Sequence, residues 1–186
     1  MNDLLKRVED GINKQSFARM LGLKLESAEP GQVSISCLKR DDLLQQNGVI
    51  HGGVISAVAE AASGYAALTL LPEGYSVMAV EYKINFLRPV NGNKMTATSK
   101  VIKYGRKLII VDVEVVDDET KKLAAKMMVT TIPVKDWLWR IHSQGLAAKG
   151  FIIKDCSYVS KKDVIKWKFL TTTCLLYAFL ITNRLL

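Results

Sequence analysis

The chain has few of the residues that build covalent or metal-linked frameworks. Its 186 residues include only three cysteines and two histidines. The cysteines are odd in number and far apart, at Cys37, Cys156 and Cys174, so their spacing matches neither a disulfide framework nor a metal site. We therefore expect no metal, no cofactor and a reducing, cytoplasmic location.

The sequence also lacks the short motifs of several large enzyme classes. It has no P-loop, no dinucleotide-binding glycine pattern and no G-x-S-x-G turn, and His142 lies in the last quarter of the chain. It shows no internal repeat and no low-complexity stretch. The first residues carry charges of both signs and no apolar run, which indicates neither a secretory signal nor a transit peptide.

Positive charge is concentrated in the last quarter of the chain. Residues 1–135 contain 18 Lys and Arg against 15 Asp and Glu, whereas residues 136–186 contain 8 against 3. All three tryptophans also fall in the second segment. We predict one domain over residues 1–135 and a basic, apolar extension over 136–186. Because the first segment is nearly balanced and lacks a basic, aromatic-lined motif, we expect no binding to nucleic acid.

The extension contains an uncharged run of 14 residues, at positions 169–182. A bilayer-spanning helix needs about 20 predominantly apolar residues, so the run is short for one. The lysines before it are typical of a segment beside a membrane surface. A peripheral anchor, a helix packed on the domain or dimer, and a non-native extension all fit. We favour a poorly ordered or non-native tail over one that contacts a membrane.

The apolar pattern of residues 1–135 predicts an α+β domain. An amphipathic helix is expected over residues 3–20, with Leu4, Leu5, Val8, Ile12, Phe17 and Met20 on its apolar side. Strands are expected over residues 23–28, 33–38, 78–87, 95–104, 107–116 and 123–133. A long Ala-rich helix lies between the second and third strands, over residues 54–68. Since this helix is apolar all round, we predict that a mostly antiparallel sheet of five to six strands wraps it.

Glu60 is the one formal charge between Gly48 and Pro72. Burying an unpaired carboxylate costs several kcal/mol, on the order of the penalty known for buried ions. Catalysis is a common reason for keeping such a group. The alternative is that this face of the helix meets water or a partner subunit.

His51-Gly52-Gly53 stands directly before the helix. His51 could simply begin the helix, with its ring bonded to a nearby backbone group, and the two glycines could simply make a tight entry. The glycines can also be interpreted as an anion-binding site, because the first N–H groups of a helix have no intrahelical partner and attract negative charge. A thioester carbonyl becomes an oxyanion when it is attacked. A carboxylate, a histidine, a side-chain amide and bare N–H groups together suit acyl transfer to water.

Residues 45–53, followed by Glu60, resemble the hotdog thioesterases of the phenylacetate-pathway type. Phe86-Leu87-Arg88-Pro89-Val90 and Gly105-Arg106-Lys107 also resemble segments of that family, and the resemblance covers roughly residues 15–134. It implies the hotdog fold and hydrolysis of acyl-CoA thioesters with aromatic or medium to long acyl groups. A hotdog module that binds acyl-CoA without hydrolysing it, or that is regulatory, is the alternative.

The resemblance also implies roles for individual residues. Glu60 would be the nucleophile or the base that activates water, and the Gly52 N–H would polarise the carbonyl. Gln45 and His51 would hold the carbonyl and the loop. In the family the carboxylate comes from one subunit and the amide and glycine N–H from the other, so a homodimer would be the catalytic unit. Such dimers would pair further into a homotetramer.

The remaining candidates are expected to contact substrate. They are Gly53, Ser63, Arg88, Lys103, Arg106 and Lys107, the four basic residues because CoA carries phosphates. The combination of Gln45 with Glu60 resembles the branch that acts on aromatic acyl-CoA. Gly64 departs from the Ser or Thr that is common there, and the adjacent Ser63 would point elsewhere on a helix. Ala79 stands where a polar residue is frequent, so both departures weaken the aromatic assignment.

Overall fold

A computed structural model describes residues 3–136 of the chain, and the predicted extension lies outside them apart from its first residue. Two helices, α1 and α2, precede a β1–β2 hairpin; a short 3-10 helix, the long helix α3 and four strands, β3 to β6, follow. Their bounds are α1 Asp3–Lys14, α2 Ser16–Leu21, β1 Lys24–Glu29, β2 Gln32–Leu38, the 3-10 helix Asp41–Leu43, α3 Gly52–Leu68, β3 Tyr75–Phe86, β4 Lys94–Tyr104, β5 Ile109–Asp117 and β6 Leu123–Lys135. No helix among these is long and apolar enough to cross a bilayer.

The six strands form one sheet in the order β1-β2-β4-β5-β6-β3. Every neighbouring pair is antiparallel. The chain leaves β2, crosses the sheet as α3 and returns as β3 at the far edge beside β6. The predicted α+β hotdog architecture, a helix wrapped by an antiparallel sheet, is therefore confirmed.

The sheet has one apolar face and one charged face. Ile109, Val111, Val113 and Val115 of β5 are fully buried in the core with the inner side of α3. The alternate residue Asp112 points the other way and accepts a 2.6 Å bond from Lys126. Because successive strand residues face opposite sides, one run of sequence supplies both the core and the outer surface.

A buried hydroxyl fastens α3 to the sheet. Ser99 of β4 lies 2.8 Å from the carbonyl oxygen of Ala62 in α3 and 2.8 Å from that of Val33 in β2. Burying a hydroxyl is costly unless it is hydrogen-bonded, and this one has two acceptors within reach. It fixes the height of α3 over the strands and hence the position of Glu60.

The first predicted helix is in fact two. Gln15 is extended, with φ −80° and ψ 118°, and separates α1 from α2. The break changes the phase of the helix, so α2 buries Ala18 and Leu21. Phe17 and Met20, which the sequence placed on the apolar side, are instead 56% and 57% exposed. That part of the prediction is wrong.

α3 is also not enclosed on every side. A stripe along the helix stays half-buried or exposed, and its members are Gly53, Ala57, Glu60, Ala61, Gly64 and Leu68. Their spacing places them on one face. We call this the open stripe of α3. The prediction of a helix buried all round is therefore corrected, since only the sides facing the sheet and α1 are covered.

Candidate functional site

The histidine before α3 serves as the N-cap of that helix. The Gly53 N–H donates to Nδ1 of His51 at 2.9 Å, and the His51 N–H donates to Leu43 O at 2.9 Å. Because Nδ1 accepts, a neutral His51 ring carries its proton on Nε2. The ring is exposed, so that Nε2–H is available to a ligand. The structure thus shows the alternative in which the His51 ring bonds a nearby backbone group. The Nε2–H of the ring remains as a donor for a ligand.

Gly52 is the first residue of α3, and its N–H has no acceptor within the described residues. Such N–H groups carry the positive end of the helix dipole. The ring of Phe86, at the end of β3, lies against this glycine, because a Cβ added at Gly52 would be 3.3 Å from the ring. The bare donor therefore has an aromatic wall beside it.

The segment before α3 is a tight turn that fixes the backbone of Gln45. The Gly48 N–H donates to Gln45 O at 2.9 Å, and the Gln45 N–H donates to Val49 O at 3.0 Å. Gly48 has φ +74°, a left-handed conformation that glycine adopts without steric cost. Leu44 and Ile50 form an isolated antiparallel bridge at the base of the turn. Within residues 3–136 the Gln45 side-chain amide is left unbonded, so it remains available as a donor and an acceptor.

A buried carboxylate at the end of β5 supports this turn. Asp117, 2% exposed, accepts bonds from the Asn91, Gly92, Glu119 and Thr120 N–H groups at 3.0–3.1 Å. Burial raises the pKa of Asp117, but these backbone donors outweigh it and hold the pKa below its ordinary value. The loop so held presents Val90 O to the Ile50 N–H at 3.4 Å. Nothing in the sequence distinguishes Asp117 from other turn carboxylates, so its role in holding this loop was not predicted.

Glu60 lies on the open stripe, two helical turns after Gly52. Desolvation alone raises the pKa of its carboxyl, and no ion pair or hydrogen bond within residues 3–136 offsets that effect. The eight residues between Gly52 and Glu60 correspond to about 12 Å along the helix axis. One chain therefore holds the bare N–H and the carboxylate well apart.

Glu60 opens into a cavity of about 500 Å³ between α3 and the edge strand β3. The lining residues are Gly53, Ser56, Ala57 and Glu60 from α3 and Ala79, Val80, Glu81 and Tyr82 from β3. The Ser56 hydroxyl donates to Gly52 O at 2.9 Å, and Glu81 accepts from the Thr130 hydroxyl at 3.1 Å. Those two polar groups are thus already bonded. Glu60 remains as the unpaired acid of a mostly apolar space.

The strand side of this cavity is shaped by a β-bulge. The pairing of β3 with β6 shifts between Ala79 and Glu81, so Val80 is the extra residue. Bulges re-aim side chains and are frequent beside active sites. After the shift, Tyr82 pairs with the buried Val129, which places its side chain on the face that α3 covers. Val80, Tyr82 and Phe86 were missed as site candidates, because a bulge in β3 leaves no mark in the apolar pattern.

Ser63 and the basic residues were predicted to contact substrate, but none of them lines the cavity. Ser63 is fully buried and its hydroxyl donates to Glu60 O at 2.7 Å, so it does not face the cavity. This corrects the prediction that Ser63 binds substrate: it lies about 60° around the helix from Glu60, the nearest member of the open stripe, and its side chain is buried.

The basic candidates are divided between the two ends of the sheet. Arg88 donates to Leu123 O at 3.0 Å, and Leu123 pairs with Val116 of β5. Lys103 pairs with Ile110, near the other end of β5, and the β4–β5 turn beside it carries Arg106. Six strand residues correspond to about 20 Å. Within one chain, Arg88 and Arg106 thus lie too far apart to bind the same phosphate.

No group of three or more His, Cys, Asp and Glu side chains in the described part of the chain is placed to hold a metal ion. The chemistry available at the cavity is therefore that of a desolvated carboxylate, with the bare N–H, the His51 ring and the Gln45 amide at the start of α3.

Comparison with known proteins places this arrangement in a family. The model of the thioesterase superfamily matches residues 47–124, from the Gln45 turn to the start of β6. A Saccharolobus solfataricus protein, named an esterase by inference, is 31% identical over 127 residues, which are 68% of this chain and 89% of that protein. The chain belongs to the thioesterase superfamily. The expectation of a thioester hydrolase is confirmed at this level.

Other members of the superfamily agree with this assignment. Acyl-coenzyme A thioesterase PaaI of Escherichia coli is 29% identical over 108 residues, covering 58% of this chain and 75% of that protein. A thioesterase family protein from Silicibacter pomeroyi superposes with a TM-score of 0.68 at 30% identity, covering 71% of this chain and 98% of its own. A thioesterase from Haemophilus influenzae gives 0.65 at 26% identity, covering 71% and 91%.

Proposed function

We propose that this thioesterase hydrolyses acyl-CoA thioesters that carry aromatic or medium to long acyl groups. The observation that supports it most is Glu60, a carboxylate desolvated in a mostly apolar cavity, with no cation to pair with among residues 3–136. A group of this kind lowers stability, and a general base or nucleophile is the role that would preserve it. The name of the Escherichia coli relative supports CoA as the carrier.

Hydrolysis at this site needs two functions to meet at one carbonyl. Glu60 attacks the thioester carbon or removes a proton from the water that does so, and the carbonyl oxygen gains negative charge. The Gly52 N–H, at the positive end of α3, binds that oxygen. Gln45 and the Nε2–H of His51 hold the carbonyl and the turn. If Glu60 acts as the base, the thiolate of CoA leaves from the water adduct, takes up the proton, and the acid is released. If Glu60 acts as the nucleophile, departure of the thiolate leaves an acyl–Glu60 anhydride, which a water molecule then hydrolyses to the acid and the free carboxylate.

The spacing along α3 favours a site shared by two chains. Reacting groups must lie within about 3 to 3.5 Å of one another, whereas about 12 Å of helix separates Gly52 from Glu60. We propose that a second copy supplies its Gly52 and Gln45 to the Glu60 of the first. β3 is an edge strand with Val80 and Phe86 about half exposed, which suits it for contact with a second copy.

A two-fold pair also brings the two groups of basic residues closer to a common ligand. If β3 meets its copy in antiparallel fashion, the Arg88 end of one chain lies beside the Arg106 end of the other. We propose that Arg88 from one chain and Lys103 with Arg106 from the other bind the phosphates of CoA.

The test is release of free thiol from a panel of aromatic and straight-chain acyl-CoAs. We expect turnover by the wild type and a loss of at least 100-fold in Glu60→Gln, on the scale of removing a general base. Glu73→Gln, at an exposed position outside the cavity, is the matched control and should turn over like the wild type.

Each other result has a definite meaning. Full activity in Glu60→Gln would show that a different group acts as the base. Acyl-CoA that binds the wild type and is recovered intact would favour the non-catalytic binding module.

A further inference from the structure

One side chain of the Glu60 cavity differs from the others in shape. Among the lining residues, Ala57, Ala79 and Val80 are small or aliphatic, while Tyr82 carries an aromatic ring. Its side chain lies on the α3 face of β3, since its pairing partner Val129 is buried. The ring nevertheless stays 50% exposed, so a substrate in the cavity can contact it.

The position of Tyr82 on β3 depends on the bulge at Val80. The bulge at Val80 shifts the register, so residues before and after it fall differently relative to α3. The Tyr82 hydroxyl forms no hydrogen bond within residues 3–136, so the ring is not held by a polar partner there. A large aromatic side chain half open to a cavity costs free energy unless something covers it. An acyl group at Glu60 would cover it.

We propose that Tyr82 is a specificity-determining residue that selects planar aromatic acyl groups over straight-chain ones. This rests on the proposed hydrolysis at Glu60. A planar ring gains offset or edge-to-face contact with the phenol of Tyr82, whereas an alkyl chain gains only dispersion and apolar burial. Ala57, Ala79 and Val80 offer apolar contact to both kinds of acyl group and do not discriminate between them.

The experiment compares benzoyl-CoA with hexanoyl-CoA, which have acyl groups of similar size. The quantity is the ratio of kcat/KM for the two, measured by thiol release for wild type, Tyr82→Phe, Tyr82→Leu and Tyr82→Met. Loss of the ring in Tyr82→Leu and Tyr82→Met should lower the benzoyl preference about fivefold, the size of one aromatic pair contact. Tyr82→Phe keeps the ring and should keep the ratio within about twofold of wild type on the same scale.

Phe17→Leu is the matched control, because it removes an exposed aromatic ring on α2 away from the cavity. Its ratio should equal that of the wild type. Thermal melting and elution volume of each variant establish that folding and assembly are intact. Two ring-free variants are used so that one of them can be scored if the other fails to fold.

The outcomes separate this proposal from the proposed function. If the ratio of kcat/KM for the two substrates is the same in the ring-free variants as in the wild type, even where both values fall, Tyr82 does not set specificity. Hydrolysis by the protein then still stands. If no variant releases thiol, the intact acyl-CoAs are titrated, and the Kd of hexanoyl-CoA divided by the Kd of benzoyl-CoA is used as the ratio. A fivefold fall in that ratio then supports Tyr82 and refutes hydrolysis, and an unchanged ratio refutes both.

Discussion

At the scale of single residues, the burial of Glu60 lowers the stability of the fold, whereas the proposed chemistry requires this carboxylate. Burial raises the pKa of its carboxyl, so the folded protein holds that proton more tightly than the unfolded chain. A raised pKa contributes stability below the unfolded value, and the contribution is lost as pH rises through the folded pKa. At neutral pH the ionised Glu60 therefore lowers the free energy of unfolding.

Glu60→Gln should remove this pH-dependent loss. We expect the variant and wild type to have similar unfolding free energies near pH 4, and the variant to be the more stable near pH 7, because glutamine stays neutral. Denaturant titration at both pH values and one protein concentration measures the difference. A variant less stable than wild type at pH 7 would mean that the carboxylate is paired in the folded assembly.

Asp117 shows the opposite solution for a buried acid. Four backbone donors surround it, and the pKa is lowered despite burial. Acids that secure structure are satisfied in this way, while Glu60 is left unsatisfied. The contrast supports the proposal that Glu60 is kept for its reactivity.

At the scale of elements, two helical glycines serve different purposes. A Cβ added at Gly11 of α1 would be 2.7 Å from the Tyr65 ring of α3, so α1 needs glycine to pack there. A Cβ added at Gly64, on the open stripe of α3, meets nothing within 4 Å. Glycine inside a helix costs about 0.5 to 1 kcal/mol relative to alanine.

The pair therefore predicts opposite effects of one substitution. Gly64→Ala should stabilise by about 0.5 to 1 kcal/mol, since it gains helix propensity without a clash. Gly11→Ala should destabilise by about 1 kcal/mol, because overpacking of roughly 1 to 3 kcal/mol exceeds the same gain. Unfolding free energies at a fixed protein concentration test both. Destabilisation by Gly64→Ala would show that another surface covers the open stripe.

The break between α1 and α2 does not follow from the apolar pattern of the sequence. The apolar residues at 4, 5, 8, 12, 17 and 20 fit one long helix, yet the extended Gln15 changes the phase after residue 14. One residue in the extended conformation, Gln15, changes the direction in which all later side chains of the segment point. The spacing of the apolar residues does not predict this break.

At the scale of the whole molecule, the proposed dimer can be tested by mixing defective chains. In a dimer of Glu60→Gln both sites lack the carboxylate, and in a dimer of Gln45→Ala both lack the amide. A mixed dimer restores one complete site, with Glu60 from one chain and Gln45 from the other. Equal mixing should recover about one quarter of wild-type activity, since half of the dimers are mixed and each has one intact site.

The control is Gln45→Ala/Glu60→Gln on one chain, mixed with wild type. If the two chains share each site, every mixed dimer in this control lacks an intact site, and only the wild-type homodimers act, which leaves about one quarter of wild-type activity. If each chain carries its own site, about one half of wild-type activity remains. If the first mixture shows no activity above its components after subunit exchange, each chain carries its own complete site. Assembly into tetramers, the cytoplasmic location and the boundary near residue 135 stay predictions.

The sequence by itself determined the fold class and indicated where the proposed site lies. Period-two alternation in β5 and the apolar length of α3 predicted strand and helix, because burial on one face or all round imposes those periods. The lone charge at Glu60 and the glycines after His51 marked the site, since few other purposes account for such residues there.

Only the tertiary structure decided which side chains meet. The order of the strands, the bulge at Val80 and the break at Gln15 depend on contacts between distant segments, which local pattern does not encode. These contacts place Tyr82 at the cavity and the Phe86 ring against Gly52. They also bury Ser63 and set Arg88 and Arg106 at opposite ends of the sheet. The periods of a helix and a strand fix a face, but the packing of one element on another determines what that face contacts.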